Sequence, residues 1–161
     1  MSTARIAAFV ILPAIVMCVA LGVGFLKWKT ESAGQADGAA GSAVQAASAA
    51  TIAILAYQPD DADRQLHAAA DRTTGDFRND YLKLINDVVI PGSKEKRISA
   101  TVTIPAAAAI SASENRAEVL VFINQTTTFG AGSQPSNSIS SVKVTLVREH
   151  DRWLISQFEP I

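Results

Sequence analysis

Residues 97–105 read RISATVTIP, and within them Ile98, Ala100, Val102 and Ile104 alternate with Ser99, Thr101 and Thr103. A period of two sends successive side chains to opposite faces, so this is the pattern of a strand with one face buried. Everything before it repeats at helical spacing and everything after it at strand spacing, so the stretch divides the chain into a helical part and a sheet.

Downstream, 106–109 are four alanines between Pro105 and Ile110, which predicts a bent or bulged continuation of the strand. Asn115 and Arg116 form a turn, and AEVLVFINQTTTF (117–129) is a second strand, apolar on both faces from Val119 to Ile123 as in a central strand. GAGSQPSNS (130–138) reads as a flexible loop. ISSVKVTLV (139–147) then points Ile139, Val142, Val144 and Leu146 to a core, and RWLISQFEPI (152–161) closes a hairpin with Trp153, Ile155 and Phe158 on one face.

Upstream, AVQAASAATIAILAYQ (43–58) is Ala-rich, with Val44, Thr51, Ile54, Leu55 and Tyr57 as its larger members, and predicts a helix over 43–57 ended by Pro59. Asp60 or Asp61 supplies the N-cap of a short second helix with Leu66, Ala69 and Ala70 on one side. A third begins at Thr74, Gly75 and Asp76, carries Phe77, Tyr81, Leu84, Ile85 and Val88 as a continuous stripe, and stops at Pro91 and Gly92. Three helices followed by about four antiparallel strands make an α+β domain, helices gathered on one face of a curved sheet. Such a half-barrel encloses a pocket between the two layers.

From Ile6 to Leu26 the chain carries no charge. Those residues span roughly 31 Å as a helix, against a hydrocarbon core of about 30 Å. Trp28 suits the interfacial belt and Lys27 and Lys29 the head groups. The rival reading is a cleaved signal peptide, but its apolar core is shorter and no small-x-small site follows Leu26. Cys18 has Met17 before it rather than the small residue that precedes a lipidated cysteine, so it reads as a thiol within the span. Residues 1–5 are then a short N-terminus, 6–28 the transmembrane helix, 29–42 a Gly/Ala/Ser tether and 43–161 the folded domain. Arg5 before the span and Lys27 and Lys29 after it leave orientation open by charge.

The 161 residues hold 14 basic and 15 acidic side chains, and the excess beyond residue 29 is acidic, which argues against a nucleic-acid partner. One cysteine excludes an intrachain disulfide and Cys-based zinc sites. His67 has no second His, Cys or acidic pair at ligand spacing and reads as a solvated histidine. Tyr57 and Tyr81 sit in apolar series and read as core with the hydroxyl at its edge. Asp76 and Asp80 share a helix face, but Asp76 is accounted for by the helix dipole. Glu149, His150 and Asp151 adjoin in REHDR (148–152), yet neighbours in a strand point apart and those in a turn point outward, so they form the hairpin turn, not a site. No catalytic, cofactor-binding or metal-binding residue is nominated, and no enzyme is expected.

AYQPDDADRQLHAAADRTTGDFRNDY (56–81), VLVFINQTTT (119–128) and VKVTLVREHDRWLISQFEPI (142–161), downstream of a single span, resemble the Mce-associated membrane proteins of mycobacteria and related actinobacteria. The resemblance runs over residues 5–161 and is carried by Thr74 to Arg78, Asn124 to Thr128 and Trp153. It implies an NTF2-like or VirB8-like, cystatin-type fold and an N-terminus in the cytoplasm with the domain outside. It also implies accessory subunits that stabilise Mce lipid-import complexes in the envelope, with no catalytic residues. Where many relatives have glycine in the last hairpin turn, this chain has His150 and Asp151. The expected function is therefore a membrane-anchored scaffold with Mce subunits or other envelope membrane proteins as partners. Two other functions stand beside it: a hydrophobic-ligand domain for lipid or sterol, and an isomerase or dehydratase of the NTF2-like kind. The last would need an acid or histidine facing the pocket, and the inward strand positions are Ile, Val, Ala, Leu and Trp.

Overall fold

The structure, a computed structural model, describes residues 38–130 and 133–161. The expected N-terminus (1–5), the span (6–28) and the tether as far as residue 37 lie outside the described residues.

Helix α1 is described over Gly38–Leu55 and takes in residues 38–42 of the expected tether. Tertiary packing overrides the helix-breaking glycines here. Ala39 is buried, and Ser42 Oγ donates to the Ala39 carbonyl at 3.0 Å. By length and composition α1 would also pass for a membrane helix. Its buried face, Ala43, Ala47, Ala50, Thr51 and Ile54, lies instead in the core of the domain. That face is built mainly of alanines, with Val44, Leu55 and Tyr57 only partly buried beside it.

Helix α2 (Ala62–Ala70) buries Ala62, Leu66, Ala69 and Ala70 as its spacing requires. Leu66 is 1% exposed, a burial worth about 1.5–3 kcal/mol. Asp61 occupies the N-cap position, but its carboxylate pairs with Arg64 at 2.9 Å instead of capping.

Helix α3 (Gly75–Leu84) continues without interruption through a π-helical turn, Ile85–Val89, into α4 (Ile90–Lys96). The stop expected at Pro91 is therefore a continuation. Pro91 lies two residues past the π-turn, inside the continuing helix, and has no N–H to donate to the preceding turn. The π-turn also corrects the stripe. Tyr81 and Ile85 are buried, but the next buried residue is Ile90, five positions on, while Val89 is half-buried and Leu84 and Val88 are 52% and 60% exposed. A wide turn adds a residue to the helical repeat and rotates the helix beyond it. Arg97, at φ 52, ends α4 in the left-handed conformation.

Strands β1 (Ile98–Ala112), β2 (Arg116–Phe129), β3 (Ser136–Glu149) and β4 (Arg152–Pro160) form one antiparallel meander in the order β1-β2-β3-β4. The expected alanine bulge is present, with register shifts between Thr103 and Ala106 and between Ala109 and Ser111. Residues 136–138 belong to β3, so the loop after Gly130 is shorter than expected. Ile139 is a second correction. It pairs with Asn124 on the outer face and is 83% exposed, because an odd position cannot share a face with Val142, Val144 and Leu146. Beyond Leu146 a bulge at Ser156 restores phase in β4, so that Ile155 opposes Leu146 and Phe158 opposes Val144 on the inner face.

β2 is central, yet only its inner row, Ala117, Val119, Val121 and Ile123, is buried, and Phe122 on the outer row is 42% exposed. Helices cover one face, and the two sheet edges are closed locally by helix connections. Tyr57 exchanges two backbone hydrogen bonds with Ala100 of β1, at 3.0 and 2.9 Å. On β4, Ile155 donates to the Arg72 carbonyl and accepts from Thr74 N–H, at 2.9 and 2.8 Å. Edge strands so covered offer less for stray pairing.

Candidate functional site

The helical layer and the inner face of the sheet do not meet everywhere. Between the end of α1, the α3–π segment and the far ends of β2 and β4 they leave a cavity of about 420 Å³, within the roughly 300–1,000 Å³ usual for ligand pockets. α1 and the chain just after it supply Ile54, Leu55 and Tyr57, and α2 supplies Leu66. The α3–π segment supplies Phe77, Asp80, Tyr81, Leu84, Ile85 and Val89, and the sheet supplies Gln125 and Phe158. Phe77 stacks on Phe158 with ring centroids 6.1 Å apart and stands 6.3 Å from Tyr81, making one aromatic wall.

Tyr81 carries out the role its sequence suggests. Its ring is buried and its hydroxyl donates to the Ile54 carbonyl at 3.2 Å, tying α3 to the end of α1. Burial pushes the Tyr81 phenol well above its ordinary range and raises that of Tyr57 as well. Neither is set up to ionise near neutral pH. Asp80 is the one charged residue of the lining and is exposed at the mouth. Asp76 lies beside it in an adjoining surface cleft with Arg116 and Glu159. No histidine lines the cavity. His67 sits on the exposed side of α2, with Nδ1 2.8 Å from the Asp63 carbonyl oxygen. Among the described residues no group of three metal-ligating side chains converges.

Gln125 is the lining residue that the strand pattern did not single out. The signal is nonetheless present: the inner row of β2 runs Ala117, Val119, Val121, Ile123, and the next inward position is Gln125. An amide that ends an apolar row past the helices is a polar group aimed into the open end of the layer.

The TTGDFR segment (73–78) positions the site and contributes Phe77 to its lining. Thr74 is the extended N-cap residue of α3, and Gly75 has φ 60, a conformation that favours glycine. Arg78 donates to the Ala70 carbonyl and to Asp71 Oδ1, the latter at 3.0 Å, clamping the end of α2 to the start of α3. Thr74 Oγ1 donates to Glu149 Oε1 at 2.9 Å, so Glu149 serves as a tie to the helical layer. His150 and Asp151, at φ 49 and 61, form the two-residue turn, the left-handed pair that a type I′ hairpin requires. Asp151 pairs with Arg148 at 3.4 Å. Arg148 also lies 5.9 Å from the centroid of the Trp153 ring. Trp153 Nε1 donates to Ser42 Oγ at 3.0 Å, so the terminal tryptophan fastens β4 to the beginning of α1. Within REHDR the side chains of Arg148, Glu149 and Asp151 thus make contacts that tie the fold together.

Helices on one face of an open antiparallel meander define the class of the NTF2-like and VirB8-like domains, and solved structures bear this out. The periplasmic domain of DotI superposes with a TM-score of 0.58 at 18% identity, over 73% of this chain and 91% of that one. A periplasmic fragment of TraM gives 0.57 at 12%, over 74% and 95%. VirB8 of Agrobacterium tumefaciens gives 0.54 at 11%, over 70% and 84%. Within that fold, the chain belongs to the family described as "Uncharacterized protein Rv1363c/MT1408-like", whose model matches residues 2–161. It is 45% identical to outer membrane protein Rv1973 of Mycobacterium tuberculosis (strain ATCC 25618 / H37Rv) across the full length of both chains. It is 39% identical, over 78% of its own length and 57% of the other's, to the uncharacterized protein Rv1362c of the same strain.

Proposed function

We propose that the protein is a membrane-anchored, non-catalytic accessory subunit of an envelope complex, and that the complex is an Mce-type lipid importer. In this reading residues 6–28 cross the cell membrane once with the N-terminus in the cytoplasm, and the domain stands outside. The observation that carries it is the extent of the family match, residues 2–161, which takes in the uncharged stretch and the domain together. In this reading anchor and domain form one unit. The name of the full-length relative, an outer membrane protein, supports an envelope location. Attachment in this reading is through residues 6–26. The solved neighbours that share the fold include an IcmL-like type IV secretion system protein, which supports a partner-binding role. The apolar lining of the cavity, with one exposed acid and no histidine, supports a non-catalytic one. An anchor confines the domain to the plane of its partners and substitutes effective concentration for intrinsic affinity.

The test is affinity purification of the tagged full-length chain from solubilised membranes, followed by mass spectrometry. Co-recovery of Mce subunits is expected. Recovery of the chain alone, or full support of lipid uptake by a chain lacking residues 1–29, would overturn the reading.

A further inference from the structure

We infer that the cavity between the α3–π segment and the sheet binds the chain of a single-chain amphiphile whose head is a neutral hydroxyl group, held at the mouth by Asp80 and Gln125. The inference stands on the cavity's own chemistry and does not depend on the partner proposed above.

Three observations converge. The interior is carbon, from Ile54, Leu66, Phe77, Ile85 and Phe158, so its occupant there is apolar. At roughly 30 Å³ for each water-sized unit, a volume of about 420 Å³ admits an occupant of on the order of fourteen such units, the size of a medium alkyl chain. Ile85 and Val89, the first and last residues of the π-turn, both line the cavity. Such turns recur at functional sites. Val88 within it faces outward, and Leu84 just before it is apolar and 52% exposed at the mouth, a surface suited to the emerging end of a chain.

The head group is specified by charge. Asp80 is the single charged residue of the lining, and the adjoining cleft, which shares Phe77, Asp80 and Phe158 with the cavity, adds Asp76 and Glu159 against one cation, Arg116. Glu159 is itself paired with Lys143 at 2.8 Å. A fatty-acid carboxylate would meet a like charge at the mouth. An alcohol instead donates its hydroxyl proton to the Asp80 carboxylate, a charge-assisted hydrogen bond, and accepts from the Gln125 amide.

The test uses the full-length chain in phosphatidylcholine vesicles containing diazirine-bearing tetradecanol or diazirine-bearing myristate, with photolysis and peptide mapping of the adducts. The alcohol is expected to label cavity residues such as Leu66, Tyr81 and Phe158 about tenfold more than the acid, the ratio that one charge-assisted hydrogen bond supports. Asp80→Asn should bring the two probes close to parity. Leu84→Trp, at an exposed position that the fold tolerates, should cut cavity labelling by the alcohol at least about fivefold, since the indole closes the mouth. Ile85→Trp should do the same from within, provided its circular dichroism matches that of the parent. Labelling confined to residues 6–28, equal labelling by the two probes in the parent chain, or cavity labelling unaffected by Leu84→Trp would overturn the inference.

Discussion

Thr51 sits on the buried face of α1, fully shielded from solvent, and its Oγ1 has no hydrogen-bond partner among the described residues. A buried hydroxyl left unpaired costs about 1–3 kcal/mol, whereas a methyl in the same place contributes roughly 0.8 kcal/mol by burial. Thr51→Val makes that exchange at nearly constant shape, between two β-branched residues of similar helix propensity. The expected result is a gain of about 1–2 kcal/mol, discounted from the sum because the surroundings are already packed around the threonine. For a domain of this size that is a rise in Tm of about 3–8 °C. The measurement is urea unfolding of the full-length chain in mild detergent, followed by far-UV circular dichroism, with an unchanged m-value and a shifted midpoint. Thr51→Ser, which keeps the hydroxyl and deletes the methyl, should move the midpoint the other way. A destabilised valine variant would refute the reasoning, because it would mean that the hydroxyl has a partner that valine cannot replace.

Arg78→Met should destabilise by about 1–2 kcal/mol in the same unfolding assay, because it removes charge-assisted bonds to the Ala70 carbonyl and Asp71, while Thr73 N–H and Oγ1 still donate to that carbonyl. Arg78→Lys should recover only part of that, since one ammonium cannot span both acceptors as the guanidinium fork does. Gly75→Ala should cost about 1–2 kcal/mol, because φ at this position is 60 and a Cβ there is strained whatever space surrounds it. Tyr57 and Tyr81, the two tyrosines of the chain, have raised phenol pKa values in the fold. The unfolded chain therefore loses its phenolic protons first, and stability should be unaffected below pH 9 and fall as pH rises above about 10. Tyr81→Phe should flatten that decline in an alkaline unfolding series followed at 295 nm.

Legibility in the sequence differs from element to element. Ala100, Val102, Val142, Val144, Leu146 and Ile155 fall where alternation puts them, because a period of two leaves little choice once one face is buried. Ile139 departs from expectation by the same rule, since an odd interval separates it from Val142. Val88 and Pro91 depart for a different reason. Their positions depend on a π-turn, and nothing local in INDVV (85–89) announces one; it arises from how α3 and α4 must each meet the sheet. The bulge at Ser156 is of the same kind. The outer row of β2 misleads because Leu120 and Phe122 look like core in sequence, although no described element covers them. At the site, Tyr81 and Asp80 are visible as helix residues, while Gln125 is legible by parity yet hidden by its neighbours 126–128, which are polar too.

The cavity itself has a physical origin in two irregularities that the chain keeps side by side. Along the buried face of α1 the residues grow from Ala43, Ala47 and Ala50 to Thr51 and Ile54. Helix separation depends on the size of the side chains between the elements, so the alanine end approaches the sheet closely, where Trp153 reaches Ser42, and the isoleucine end is held away. There the π-turn opens the facing helix by one residue, so that Ile85 and Val89 flank a gap that a regular α-helix would narrow. Tyr81 bridges the two, its ring in the aromatic wall and its hydroxyl on the Ile54 carbonyl at the last turn of α1. A core of this size would ordinarily close such a gap, since empty volume costs stability roughly in proportion to its size. That this one stays open at the end where the inner row of β2 turns polar at Gln125 is what separates a site from a packing fault: the polar group, the exposed acid and the apolar gap occur together at that end of the layer.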